Sequence, residues 1–341
     1  MELEDEIRAI IVEETGKIEG KVGVGFKDFK SGVEVYNYPD DRFLTASVFK
    51  IYVLIELYRQ VNEGLLNLED RYNYKFYDRS PGSGILQYLD EGLNLKIRDL
   101  AKLMMMISDN TATDILVEIL GRDNINETIR KLGLVNTHVA YNCKEMIFGF
   151  YSVKEEKRTE LEEFLKSIGE AELIEGGLGD VAKKLYYKRR RMGLTLESLK
   201  LQNRFSEYFE VSKDTSALSD YEVNDVTSPR DMVRTFSLLY NRSILTPEAC
   251  DEILGIMAYC QTGYNRLRRH LPRNVIVAHK TGTIPGVVND AGIIMTSQRD
   301  YALAVFVNEL NINDRSSIRS GEEVIANISK RIYETLIKVK V

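Results

Sequence analysis

The sequence predicts a mixed α/β fold of the α+β kind. An antiparallel sheet is assembled from both ends of the chain and flanked by helices, with an all-helical domain inserted between its two halves. Three observations lead there. Strand-like alternation is confined to residues 21–38 and 275–308, near the two termini. Between them, apolar residues recur mostly at helical spacing. The chain has 341 residues, 44% hydrophobic and 29% charged, which is ordinary for a soluble enzyme and long enough to bury an extended core.

Taken in order, residues 3–15 space Leu3, Ile7, Ile10 and Ile11 on one helical face and stop at Gly16. Residues 21–29 and 33–38 alternate about Lys30-Ser31-Gly32 as a hairpin, which Pro39-Asp40-Asp41 ends. A helix carrying Ser47 follows and closes at Gly64. After a loop at 78–84, residues 97–107 form a helix with Leu100, Leu103, Met104 and Ile107 on one face; its three successive methionines read as core filler. Ser108-Asp109-Asn110 breaks that helix, and two more run over 111–120 and 125–132, stopped by Gly121 and Gly133.

Residues 143–220 change character, being strongly charged and largely helical, with a glycine-rich break at 176–179 and the run Lys188-Arg189-Arg190-Arg191. They read as an inserted segment. The basic run is the kind that docks an acidic partner or membrane surface, although a solvated helix face is the commoner explanation. Helices then start at 227–231 and 246–248, with Cys250 and Cys260 placed on the second. Strands are expected at 275–278, 291–296 and 301–308, and a last helix at 320–338. The expected division is therefore 1–41 with 241–341 as the sheet domain and 42–240 as the helical domain.

A net charge of −6 gives no global basic field for nucleic acid, and no apolar run reaches the roughly 18–20 residues that span a membrane. The acidic start, Met1-Glu2-Leu3-Glu4-Asp5-Glu6, is not a secretory signal. The expected location is the cytoplasm for a complete sequence, or the periplasm or cell exterior if a signal has been removed. Three cysteines (143, 250 and 260) and three histidines (138, 270 and 279) show no metal-ligand spacing, so neither metal nor cofactor is expected. The cysteines read as core thiols.

Ser47 and Lys50 lie three residues apart at the start of the apolar run Ile51-Tyr52-Val53-Leu54-Ile55, on one face of a helix that should be buried. A desolvated lysine can take a serine proton and make the hydroxyl a nucleophile. Alone, the pair reads equally as a helix start with a snorkelling lysine. Two further motifs change the balance. Ser108-Asp109-Asn110 occupies a turn between helices, and His279-Lys280-Thr281-Gly282-Thr283 follows a strand. Each is ordinary by itself, as turn chemistry or a strand end.

In this order and in these settings, the three motifs resemble those of the class A β-lactamases and the wider penicillin-recognising serine enzymes. The resemblance covers most of the chain, including Gly82-Ser83-Gly84-Ile85-Leu86, Leu132-Gly133-Leu134 and Thr227-Ser228-Pro229-Arg230-Asp231. It implies a β-lactamase/transpeptidase-like fold and an acyl-enzyme mechanism. The residues fit that chemistry: Ser47 as nucleophile, Lys50 as its proton acceptor, Ser108 as a relay to the leaving nitrogen, and Lys280 beside it attracting a substrate carboxylate. Asn110 offers an amide to a substrate carbonyl, Gly282 lets the substrate lie along the strand, and the Thr281 and Thr283 hydroxyls hold a carboxylate. From the family's geometry, the N–H groups of Ser47 and Thr283 form the oxyanion hole. His279 reads as a strand residue facing the helices.

The chain departs from the family where a deacylating glutamate is expected. No Glu-x-x-Leu-Asn precedes Thr227-Ser228-Pro229; the nearest echo is Asp220-Tyr221-Glu222-Val223-Asn224, with Glu222 or Asp220 as candidate base and Glu145 a weaker one. No arginine follows Lys280-Thr281-Gly282 until Arg299, so the usual carboxylate-binding arginine is missing from its expected strand. The expected function is a serine hydrolase opening a β-lactam or related amide through a Ser47 acyl-enzyme, with a small-molecule, peptide or ester substrate and a monomer favoured. The alternatives are a D-alanyl-D-alanine peptidase or esterase that penicillin acylates but that deacylates slowly, and a non-catalytic protein docking through 143–220. The intact Ser/Lys/Ser/Lys set argues against the last.

Overall fold

The computed structural model describes residues 2–149, 151–167, 178–211, 221 and 224–338. Helix α1 (Leu3–Thr15) leads into strands β1 (Lys21–Asp28), β2 (Glu34–Asn37) and the short β3 (Phe43–Leu44). Helix α2 (Lys50–Asn62) follows a 3-10 turn at Ala46–Phe49. The small ribbon of β4 (Arg71–Asn73) and β5 (Asn94–Lys96) precedes α3 (Ile97–Met106), α4 (Asn110–Leu120) and α5 (Arg122–Lys131).

The segment that begins at α6 (Cys143–Gly149) contains β6 (Tyr151–Val153), α7 (Arg158–Ser167), α8 (Leu178–Arg191), α9 (Leu196–Tyr208) and β7 (Phe209–Val211). The chain returns through β8 (Val226–Thr227), α10 (Pro229–Tyr240) and α11 (Pro247–Ala258). It closes with β9 (Ile276–Ile284), β10 (Val287–Met295), β11 (Tyr301–Asn308) and α12 (Arg315–Lys338).

The strands from the two ends of the chain form one five-stranded sheet in the order β2-β1-β11-β10-β9, and the pairings among them are all antiparallel. Alternate residues on β1, β10 and β11 feed two cores. Val24, Phe26, Val305 and Val307 pack with Ile7, Ile11, Ile325 and Ile332 of α1 and α12. Ala291, Ile293, Ala304 and Phe306 face α2, α10 and α11 on the other side. No helix among the described residues is long and apolar enough to cross a membrane.

Strand β9 runs farther than the sequence suggests. The polar stretch His279–Thr283 breaks the apolar alternation, yet pairing of Lys280 with Ala291, Thr281 with Asp290 and Gly282 with Asn289 keeps it in the sheet. Cys260, in contrast, lies beyond α11, because the chain turns after Ala258 and Gln261 N–H donates to Met106 O at 2.7 Å.

The inserted segment has its own small core of Phe148, Leu161, Phe164, Leu185, Tyr186 and Tyr208. Gly176 and Gly177 of the expected break lie outside the described residues, and Leu178 and Gly179 open α8. The basic run is not simply a solvated face. Arg190 lies 4.1 Å from the ring centroid of Tyr88 and 5.0 Å from that of Tyr186, and Arg191 lies 5.2 Å from that of Phe76. Guanidinium planes stack on aromatic faces, so the end of α8 is held against the loop at 76–88.

Within the helical part, the fully buried Glu56 joins α2 to α5. It accepts from Arg59 (2.7 and 2.8 Å), Gln60 (2.7 Å) and Thr128 Oγ1 (2.6 Å). Removing it strands three donors in a dry setting. Glu56→Ala is expected to cost about 3 kcal/mol in urea unfolding, against under about 1 kcal/mol for an exposed glutamate such as Glu127.

Candidate active site

Ser47 sits in the 3-10 turn directly ahead of α2. The preceding residue, Ala46, holds a left-handed backbone (φ 43°), a conformation that costs energy for any residue but glycine. The turn is wedged against β9. A Cβ built on Gly282 would lie 2.3 Å from Thr45 O and 3.2 Å from Ser47 N, so only glycine lets the strand approach this closely.

Two lysines with no exposed surface converge on Ser108. Lys50 Nζ donates to Ser108 O (2.9 Å), Ser108 Oγ (3.1 Å) and Asn110 Oδ1 (2.7 Å). Lys280 Nζ donates to the same Ser108 Oγ at 3.0 Å and to Thr281 O at 2.8 Å. A hydroxyl has two lone pairs and one hydrogen, so with both lone pairs engaged the hydrogen of Ser108 is left to point elsewhere. Burial pulls Lys280 down to about 7, partly opposed by the Cys260 thiolate and helped by the charge of Lys50.

The turn that presents Ser108 is rigid. Asp109 caps α4 through Ala112 N–H (3.0 Å), while its other oxygen accepts from Ile85 N–H (2.7 Å) and Leu86 N–H (2.8 Å). Asn110 donates one amide N–H to Pro81 O (2.8 Å), leaving the second for a ligand. Ser47, Ser108, Asn110, Thr281 and Thr283 all line one cleft of about 390 Å³, with Lys50 and Lys280 buried behind it.

Arg266 also lines this cleft. It reaches in from the connection between α11 and β9, donating to Gly282 O (3.0 Å), Asn289 O (2.9 Å) and Thr283 Oγ1 (2.6 Å). It sets a guanidinium against the strand of Lys280-Thr281-Gly282, and its Nε also pairs with Glu322 Oε1 at 3.3 Å. Arg299 is elsewhere, paired with Asp28. No sequence motif marks Arg266, because a loop residue reaches the strand only through the fold.

Neither Glu222 nor Asp220 is among the described residues. Glu145 is exposed and held by Arg122 and Asn142 N–H, and it does not line the cleft. Met146 and Ile147 of α6 form that part of the wall, and no carboxylate is found in the described lining. No group of three or more His, Cys, Asp or Glu among the described residues is placed to hold a metal.

Behind β9 lies a second buried polar set. His279 Nδ1 is 2.7 Å from Asp290 Oδ1, and the Cys260 thiol lies close enough to influence the ring. Burial opposes charge on both groups, but Asp290 and the thiol raise His279 to about 10, while His279 and Lys280 bring Cys260 down to about 6. Thr262 Oγ1 contacts Cys260 Sγ (3.2 Å) and Thr281 Oγ1 (2.6 Å), connecting this set to the cleft. Cys260 is a buried thiol, as the sequence suggests, with a polar set packed against it.

The Beta-lactamase enzyme family profile matches residues 2–336. The chain belongs to that family. A β-lactamase-like serine hydrolase has this fold and this motif set. Among its relatives in the family, the extended-spectrum β-lactamase PER-1 of Pseudomonas aeruginosa is 21% identical over 88% of this chain and 77% of its own. A β-lactamase of Bacteroides uniformis is 22% identical over 98% and 91%. β-Lactamase VEB-1 of Pseudomonas aeruginosa is 34% identical over a segment of 30% of this chain and 36% of its own length. Among solved structures, a β-lactamase from Sphaerobacter thermophilus superposes with a TM-score of 0.70 at 23% identity, covering 99% of both chains. A mutant of PBP-A, solved as an acyl-enzyme complex with penicillin G, matches with a TM-score of 0.70 at 22% identity over 98% of this chain and 97% of that one.

Burial pushes the Cys143 and Cys250 thiols up, so Cys260 is the one cysteine expected to ionise near neutral pH. Ultraviolet thiolate absorbance should titrate with an apparent pKa near 6. His279→Asn should move that transition upward; an unchanged curve would show that the imidazole does not hold the thiolate.

Proposed function

We propose that Ser47 attacks the carbonyl of a β-lactam or related amide and forms an acyl-enzyme that accumulates. The bond formed joins Ser47 Oγ to the carbonyl carbon, and the bond broken is C–N. Ser47 gives its proton to Lys50 Nζ in its neutral amine form, and Ser108 passes its own hydroxyl proton to the departing nitrogen while regaining one from Lys50. The observation that carries this reading is the Ser108 hydroxyl held between two buried lysines beside Ser47. Backbone N–H groups of Ser47 and Thr283 take the developing oxyanion. Asn110 clamps the acyl-side carbonyl, while Thr281, Thr283, Lys280 and Arg266 receive the substrate carboxylate.

Support for accumulation comes from the described wall of the cleft, the candidate acids Glu222 and Asp220 lying outside the described residues. Met146 and Ile147 are apolar and neither can activate water, and the described lining supplies no carboxylate to replace them. The edge position of β9 also suits an added peptide strand, which supports a D-alanyl-D-alanine peptide or an ester as a second substrate class.

Mixing with benzylpenicillin and reading intact mass is expected to show a persistent adduct that Ser47→Ala abolishes. Rapid turnover of a chromogenic cephalosporin without an adduct would overturn the slow-release reading, and neither adduct nor turnover would overturn acylation itself. Arg266→Ala is expected to slow acylation by carboxylate-bearing β-lactams by about 10- to 100-fold, the worth of a lost charge-assisted bond. The corresponding carboxylate esters should lose much less; an equal loss for both would assign Arg266 to structure alone.

A further inference from the structure

A second pocket, of about 260 Å³, opens where the inserted helices meet the loop that follows Arg79. It shares Pro81 and Gly82 with the Ser47 cleft. Gly82 marks the boundary, since a Cβ there would lie 2.6 Å from Asn110 Nδ2 and 3.0 Å from Ile147 Cδ1. The two hollows are also joined along α6, where Ile147 lines the first and Phe148 the second. A substrate whose acyl amide rests on Asn110 therefore has its acyl end directed toward this second hollow. The inference rests on that placement of the substrate.

The chemistry of the pocket is unusual for the end of a helix. Arg189 and Arg190 are consecutive, both half-buried and both in its lining, and neither has a carboxylate partner among the described residues. Arg190 is fixed between the rings of Tyr88 and Tyr186 and donates to Gln87 Oε1, yet its Nε is buried with no hydrogen-bond partner. Arg189 lies 5.7 Å from the Tyr186 ring, and burial together with the charge of Arg190 pulls it below the usual arginine range. Two neighbouring guanidinium groups repel each other and are desolvated, a cost that an anion between them would offset. No acidic side chain among the described residues lines the pocket to do so.

We infer that this pocket is an acyl-side subsite for an anionic group, and that the preferred substrates carry a carboxylate at the far end of the acyl substituent. The stacked tyrosines hold Arg190 in place, so its fork is oriented before the ligand arrives, and Arg189 completes a two-point contact. The apolar floor of Phe148 and Leu185 accommodates the methylene chain leading to the carboxylate.

The test compares two cephalosporins that differ at one end only, glutaryl-aminocephalosporanic acid and its pentanoyl counterpart, which keeps the nuclear carboxylate and lacks the one on the acyl chain. Calorimetry on Ser47→Ala measures binding without chemistry. The glutaryl compound is expected to bind about tenfold more tightly, the effect of one charge-assisted contact, with the advantage shrinking as salt is added. In Ser47→Ala/Arg189→Gln and Ser47→Ala/Arg190→Gln the ratio should fall toward one. Equal binding of the two compounds to Ser47→Ala, or a ratio the arginine changes do not alter, would overturn the inference and leave the arginines as struts between α8 and the loop. Should the glutamine changes disturb folding, the comparison of the two compounds on Ser47→Ala alone still decides. Acylation of the unaltered protein by benzylpenicillin, followed in parallel by mass, reports on the Ser47 chemistry separately.

Discussion

Burying two lysine amines around one hydroxyl is the constraint on which this structure turns. Lys50 and Lys280 come from opposite parts of the chain, one from the first turn of α2 and the other from the edge of the sheet. Neither tolerates a dry interior without acceptors in place. The turn at Ser108 supplies them, as a backbone carbonyl, a hydroxyl and the Asn110 amide oxygen. That turn must in turn be stiff, and Asp109 makes it so by tying α4 to the loop at 85–86. On the sheet side, the Cys260, His279 and Asp290 set places a buried negative charge close to Lys280. The fold holds the two halves together at the point where like charges are closest.

The inserted segment alters the other half of the chemistry. It has an apolar core of its own and meets the rest of the chain through stacked arginines and tyrosines at the mouth of the cleft. Its first helix brings Met146 and Ile147 to the cleft wall. On the proposed chemistry, the segment bears on two properties, which acyl groups fit and how water reaches the acyl-enzyme. It leaves the nucleophile and its lysines as they are.

Much of the fold could be read in the sequence because it depends on local pattern. Alternation at 21–38 and at 301–308 gave strands, and glycines at 16, 64, 121 and 133 ended helices where the structure ends or caps them. Ser47, Lys50, Ser108 and Lys280 were readable as a set because three short motifs occur in one order. What escaped depends on tertiary contact. The polar run at 279–283 conceals a buried strand, since its side chains are satisfied by partners on other elements. Arg266 carries no local signature, and Cys260 reads as a core thiol because nothing near it in sequence announces His279 and Asp290. The arginines at 189–191 looked solvated because the aromatic rings that receive them lie about a hundred residues earlier.

Strand β9 ends the five-stranded sheet, so its outer side has no neighbouring strand. Such a rim is usually a hazard, since its unpaired amides and carbonyls recruit other chains and seed aggregates. Here the rim is partly occupied from within the molecule. The Thr45–Ser47 turn rests against Gly282, and the Arg266 guanidinium takes its carbonyl. What stays open is the stretch at Thr281 and Thr283 that lines the cleft, where a short peptide has room beside the strand. The turn that shapes the Ser47 cleft thus also covers part of the rim of the sheet.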